Sequence, residues 1–318
     1  MISDQHSTAV LSAENITAGY DGRPIVHDVS LNLVAGRTLG LVGESGSGKS
    51  TLARVLMGIV RPSAGRILLE GTDTTAFRGR QITQLRRRVQ LIPQDPYASL
   101  NPRMTVGESL AEAIDPRRGG AKRYAADVAR WLETVMLDAS AATKYPHQFS
   151  GGQRQRIAIA RALAVEPEVI IADEVTSALD ASVQAEVLNL LADLRAQLGL
   201  TMLFISHDLA VVRHISDDIA VLYLGRIVEH TSRDALFDRP RHPYTRLLLD
   251  SAPDGSRIHT SPSRIEPPDP YSPPPGCAFH PRCAVFGRNT FADCRTHRPA
   301  LHDGVACHIP DGDSLTTT

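Results

Sequence analysis

Gly43 to Thr51 read GESGSGKST, which satisfies G-x-x-x-x-G-K-[ST] with Gly48 as the second glycine, Lys49 as the lysine and Ser50 as the hydroxyl. The short apolar run before it, Thr38 to Val42 (TLGLV), predicts a buried strand, and Thr51 to Val60 after it predicts a helix. Strand, glycine-rich loop and helix in that order set backbone N–H groups at the positive end of a helix, where phosphates are held. The loop of Gly43, Glu44, Ser45, Gly46, Ser47 and Gly48, with Lys49, Ser50 and Thr51, is therefore the candidate triphosphate site. Lys49 is expected to reach the β- and γ-phosphates and the Ser50 hydroxyl to ligate Mg²⁺.

Such a loop needs a carboxylate to place the metal. Val169 to Glu174 (VIIADE) offers Asp173 at the end of an apolar run, with Glu174 beside it to activate water. Further apolar runs at Thr201–Ile205 and Ile219–Leu222, and a helical period over Ser182–Leu198, predict a parallel sheet flanked by helices. From about Pro96 to Val165 helix formers predominate, which predicts an inserted helical subdomain.

The balance of 34 Lys plus Arg against 35 Asp plus Glu, net charge -1, argues against a nucleic-acid partner held by bulk charge. The most apolar stretch, Ile157 to Ala172, is broken by Arg161, Glu166 and Glu168, so no membrane-spanning helix is expected. The first ten residues lack a cationic region followed by an apolar one, and the chain reads as cytoplasmic. Nine of the 21 prolines fall between Pro253 and Pro281, which predicts a stiff, extended connector.

Between loop and acidic strand lies Ser150 to Gln153 (SGGQ), preceded by Phe149 and followed by RQRIAIARAL. In this order and spacing, from about Leu11 to Arg239, the chain resembles the ATP-binding cassette (ABC) family. The resemblance implies an α/β fold, a phosphate-loop NTPase core with an antiparallel β part and an inserted helical subdomain. It implies further that Gln94 is the Q-loop glutamine facing the γ-phosphate, Mg²⁺ and the transport partner, so that Ser50, Gln94 and Asp173 hold Mg²⁺. Asp180 is similar to the D-loop aspartate, His207 to the switch histidine at the γ-phosphate, and Tyr20 to the aromatic under adenine. Two cassettes would face head to tail, with Ser150, Gly151, Gly152 and Gln153 of one covering the ATP of the other; Glu174, His207 and Gln94 would be the catalytic set. Phe149, Val175 and Pro93 depart from the usual Leu, Pro and aromatic, and none removes a reacting group.

Past the cassette, Arg241 to Pro253 (RHPYTRLLLDSAP) and the NPRMTV segment from Asn101 resemble ATPase subunits of oligopeptide, dipeptide and nickel importers. The implied organisation is a nucleotide-binding domain over residues 1–240, with its helical subdomain at about 96–165, and an extension over residues 241–318. Implied partners are a second ATPase subunit, a paralogue by the paired-subunit resemblance, two transmembrane permease subunits and, indirectly, an extracytoplasmic solute-binding protein. The implied place is the cytoplasmic face of the cell membrane. An importer of nickel or another small solute, or a cassette ATPase of a soluble assembly such as a carbon–phosphorus lyase, remains an alternative.

Cys277, Cys283, Cys294 and Cys307 form a C-x5-C-x10-C-x12-C pattern. Four soft thiolates suit a [4Fe–4S] cluster or zinc, and reduced, packed thiols are the other reading. The importer resemblance favours the cluster, while His280, His297 and His308 leave a mixed Cys/His site open. His242, beside Pro243 and Tyr244, is expected to pack or turn the chain.

Overall fold

The computed structural model describes residues 9–117, 120–177, 179–251, 268–288 and 292–310. Its strands are β1 (Ala9–Tyr20), β2 (Arg23–Val34), β3 (Thr38–Val42), β4 (Ala64–Leu69), β5 (Thr72–Asp73), β6 (Val89–Ile92), β7 (Val169–Asp173), β8 (Thr201–Ser206), β9 (Asp218–Tyr223) and β10 (Arg226–Ser232). Its main helices are α1 (Lys49–Leu56), α2 (Arg80–Arg88), α3 (Pro96–Ser99), α4 (Val106–Ile114), α5 (Ala125–Thr134), α6 (Gly151–Leu163), α7 (Ala181–Leu198), α8 (Leu209–Ile215), α9 (Arg233–Asp238) and α10 (Pro243–Asp250).

The chain divides into two compact units. One is built on residues 33–37 and 76–203; the other comprises residues 11–32, 38–75 and those described after 203. Strand β8 straddles the division.

In the first unit β6 and β7 pair in parallel, Val89 opposite Val169 and Ile92 opposite Ala172. The run Val169–Ala172 of β7 is buried throughout and has no polar alternation, because a parallel sheet is covered on both faces. Between the two strands lie α3 to α6, and among the described residues of 96–165 there is no strand. Thr105 starts α4 with a reciprocal capping box to Glu108, and Ser150 starts α6 with the same device to Gln153.

In the second unit, β2, β1, β4 and β5 form a four-stranded sheet in that order. β1 and β4 are antiparallel, with a register shift between Glu14 and Thr17. All five residues of β3 are buried, and it pairs in parallel with β9. The expected parallel order ends there: β10 returns antiparallel to β9, because only the two residues Leu224 and Gly225 separate the strands. Helix α1 also differs from expectation, starting at Lys49 and ending at Leu56. The N–H groups of Gly58, Ile59 and Val60 fold back onto Val55 and Arg54, so the apolar Ile59 and Val60 lie past its end. Part of the proline-rich connector, residues 252–267, lies outside the described residues.

Candidate nucleotide site

The loop after β3 is held in shape by its own lysine. Lys49 Nζ, almost wholly buried, donates to the carbonyls of Gly43 at 2.7 Å and Glu44 at 2.9 Å. Gly48 is the N-cap of α1 at φ 106, a left-handed conformation that a side chain would strain. Ser45 and Gly46 are exposed at the loop's crest, Ser50 is half-buried and Thr51 buried. The Gly225 N–H, from the turn between β9 and β10, donates to Ser47 O at 2.8 Å and fixes the loop's far side. Ser47 Oγ is buried with no hydrogen-bond partner among the described residues.

Glu44 is gripped twice from the far end of the chain. Its N–H donates to the Tyr244 hydroxyl at 2.9 Å, and its carboxylate takes both Nη atoms of Arg282 at 2.8 and 2.9 Å. The hydrogen bonds to Glu44 hold the Arg282 guanidinium well above the usual arginine pKa.

Two further expected residues stand in this unit. Tyr20 ends β1, partly exposed, and its hydroxyl accepts from Arg54 Nη1 at 3.1 Å. His207 follows β8 and is exposed, directly before Asp208, which caps α8.

The first unit gathers another set. Asp173 ends β7, and Glu174 follows at φ 49, a left-handed conformation uncommon for a residue with a side chain and often found where function holds it. Gln94 Nε2 donates to Glu174 Oε2 at 3.0 Å and to Ser177 Oγ at 3.2 Å. Val175, where proline is the family's common residue, is buried. In the SGGQ turn a Cβ on Gly152 would meet Val183 Cγ1 of α7 at 2.3 Å, so the close approach of the two helices requires glycine. Gly151 begins α6 with open space to 3.7 Å. Arg154, buried, donates to Phe149 O and lies over the Tyr97 ring at 3.8 Å, which stiffens the turn. Asp180 caps α7, accepting from Val183 N at 3.0 Å and Ser182 Oγ at 2.7 Å, and these bonds lower its pKa.

Residues 26–177 match the ABC transporter family and residues 228–287 the oligopeptide/dipeptide transporter C-terminal region. The probable peptide ABC transporter ATP-binding protein y4tS of Sinorhizobium fredii is 48% identical over 95% of this chain and 90% of its own. The dipeptide transport ATP-binding protein DppF of Escherichia coli K12 is 44% identical over 96% and 90%. This chain belongs to the ABC transporter ATPases of the oligopeptide/dipeptide group. Among solved structures, cbiO1 of Clostridium perfringens, part of the ABC transporter complex cbiONQ, superposes with TM-score 0.66 at 28% identity over 73% of this chain and 91% of that one. The dimeric ABC transporter cassette MJ0796 gives TM-score 0.63 at 29% identity over 70% and 98%.

What marks this ABC ATPase beyond the cassette is how its last segment is anchored. Glu229 on β10, 1% exposed, accepts the N–H groups of Arg241 and His242, each at 2.9 Å. His242 then caps α10, its Nδ1 accepting from Tyr244 N at 3.0 Å, so it packs and turns the chain as expected. Burial lowers its pKa to about 3, and the ring is neutral. Farther on, Ala306 N donates to Val228 O and His230 N to Gly304 O, both at 2.8 Å, which lays the tail along β10. Glu229, Tyr244 and Arg282 are the residues that motif reading misses, because their partners are set by tertiary contact.

The four cysteines are free thiols that line one pocket together with Phe279, Phe286, His280 and His308. Burial pushes their pKa values up, Cys277 to about 12 and Cys307 to about 11. Among the described residues no group of three or more His, Cys, Asp or Glu side chains is placed to hold a metal ion.

Proposed function

We infer that this chain binds and hydrolyses ATP to energise import of oligopeptides or dipeptides through a membrane ABC permease. The observation that carries the reading is the union, in one chain, of a cassette loop with the oligopeptide/dipeptide C-terminal region, joined by the Glu44–Arg282 pair. Among the described residues no helix is long and apolar enough to cross a membrane. By the importer resemblance the substrate path belongs to partners: two permease subunits and a second, paralogous ATPase subunit at the cytoplasmic face, fed by an extracytoplasmic solute-binding protein.

The family pattern assigns the chemistry. Lys49 and the loop N–H groups neutralise the phosphates; Ser50, Gln94 and Asp173 would hold Mg²⁺, which would supply charge stabilisation at the γ-phosphoryl group. Glu174 accepts a proton from the attacking water as the bond to phosphorus forms and the bond to the ADP oxygen breaks. His207 contacts the γ-phosphate, Tyr20 stacks under adenine, and Ser150, Gly151, Gly152 and Gln153 cover the triphosphate held by the partner subunit, so that ATP joins the two cassettes and hydrolysis parts them.

For the tail, the finer reading is a [4Fe–4S] cluster on Cys277, Cys283, Cys294 and Cys307, supported by their lining one pocket and by the softness of four thiolates. Loading requires loss of the thiol protons. The cluster would staple a segment poor in core-forming residues.

Affinity purification of the chain from detergent-solubilised membranes of its host, kept anaerobic, tests both readings. Two multi-span permeases and a second cassette subunit in the eluate are expected, with visible absorption from an iron–sulfur chromophore. Recovery with soluble proteins alone overturns the importer reading; a colourless eluate overturns the cluster.

A further inference from the structure

The phosphate loop of this chain is not held by the cassette alone. Glu44 is its second residue and carries a negative charge immediately beside the positions that must receive a triphosphate. Its carboxylate makes a bidentate pair with Arg282 at 2.8 and 2.9 Å, and its N–H is taken by the Tyr244 hydroxyl at 2.9 Å. Both partners lie about 200 or more residues away in sequence and belong to the C-terminal region.

The grip is rigid. Tyr244 is fully buried, its ring 4.5 Å from Tyr223 and 5.5 Å from Phe279, centroid to centroid. Arg282, 9% exposed, lies about equally over the rings of Tyr223 and Phe279, at 6.0 and 5.9 Å. Fork-to-carboxylate pairing in such surroundings fixes direction as well as charge. Two consequences follow for the loop. The Glu44 charge is neutralised and pinned toward Arg282, and the Glu44 N–H is withdrawn from the set of donors left for a phosphate.

We propose that Arg282 and Tyr244 are positioning residues of the ATP site, which hold Glu44 so that the phosphate loop admits a triphosphate. The C-terminal region is on this view a working part of the nucleotide site. The inference rests on the reading of Gly43–Thr51 as the ATP loop, and ATP binding by the unaltered chain checks that reading separately.

The test is equilibrium binding of ATP to the full-length chain and three variants, with circular dichroism melts run on each. In Arg282→Ala the freed carboxylate faces the incoming phosphates, and the ATP Kd rises on the order of tenfold. The double variant Glu44→Gln with Arg282→Ala removes that charge as well, so most of the affinity returns even though the pair is still absent. A purely structural role for Arg282 would leave the double variant as weak as the single one. Tyr244→Phe keeps the ring and removes the hydroxyl, and a smaller rise in Kd is expected; it stands in for Arg282→Ala should that chain not fold. Wild-type affinity in a folded Arg282→Ala, or no recovery in the double variant, overturns the proposal. Failure of the unaltered chain to bind ATP overturns the loop reading instead.

Discussion

The side-chain amide of Gln94 donates to the Glu174 carboxylate at 3.0 Å, tying the loop after β6 to the residue that follows β7. Gln94 also reaches Ser177 Oγ, and Ser177 N donates to Glu174 O at 3.1 Å, so Glu174 is held by side chain and backbone together. A carboxylate oriented in this way suits a general base, whose contribution is typically about 10²- to 10⁴-fold. Glu174→Gln should therefore bind ATP with near-normal affinity while steady-state phosphate release falls by at least about 10²-fold. Unchanged turnover in that variant would remove Glu174 from the role.

The SGGQ turn makes a packing prediction independent of catalysis. Gly152→Ala drives a methyl group into Val183 Cγ1, 2.3 Å from the ideal Cβ position, and should cost about 1–3 kcal/mol in urea unfolding. Adding Val183→Ala opens the space and should return most of that loss, since the two sites share one contact. Equal instability of the single and double variants would show that the glycine serves something other than this helix approach.

His242 gives a pH dependence whose sign is fixed. Burial lowers its pKa to about 3 from 6.5, with Arg246 adding a smaller push in the same direction. The unfolded chain thus takes up a proton below pH 6.5 that the folded chain refuses. The stabilisation is complete above pH 6.5 and is lost as pH falls from there toward 3, by up to about 1.4 kcal/mol per pH unit for one group. His27 and His230, also lowered by burial, act with the same sign. His242→Asn retains a capping side chain, and denaturant titrations at pH 5 and pH 7 should differ less in that variant than in the parent. An unchanged difference would mean that His242 does not titrate on unfolding.

How far the sequence reveals this molecule depends on how local each feature is. Val169–Ala172 and Thr38–Val42 announce themselves as buried strands because a sheet covered on both faces admits no polar alternation, and both are strands. Lys49, Asp173, Ser150 and Glu174 are singled out by short motifs whose residues lie within a few positions of one another. Arg282 leaves no such mark: its partner Glu44 is 238 positions away, and an arginine in a cysteine-rich tail reads as solvated surface until the fold buries it. Glu229 is hidden in the same way, since nothing in a strand sequence says that its carboxylate will receive the N–H groups of Arg241 and His242. The end of α1 is misjudged for a related reason, because Ile59 and Val60 continue an apolar pattern after the hydrogen bonds have already turned back.

The central claim is that ATP bound through Lys49 drives peptide movement across a membrane. The measurement that meets it most directly is uptake of a labelled dipeptide by proteoliposomes carrying the purified assembly, with ATP enclosed on the cassette side and the solute-binding protein outside. Uptake that requires ATP, and that Lys49→Ala reduces to background while the assembly still copurifies, is the predicted result. Uptake indifferent to ATP or to Lys49→Ala, or an assembly that hydrolyses ATP without moving any di- or oligopeptide, would contradict it.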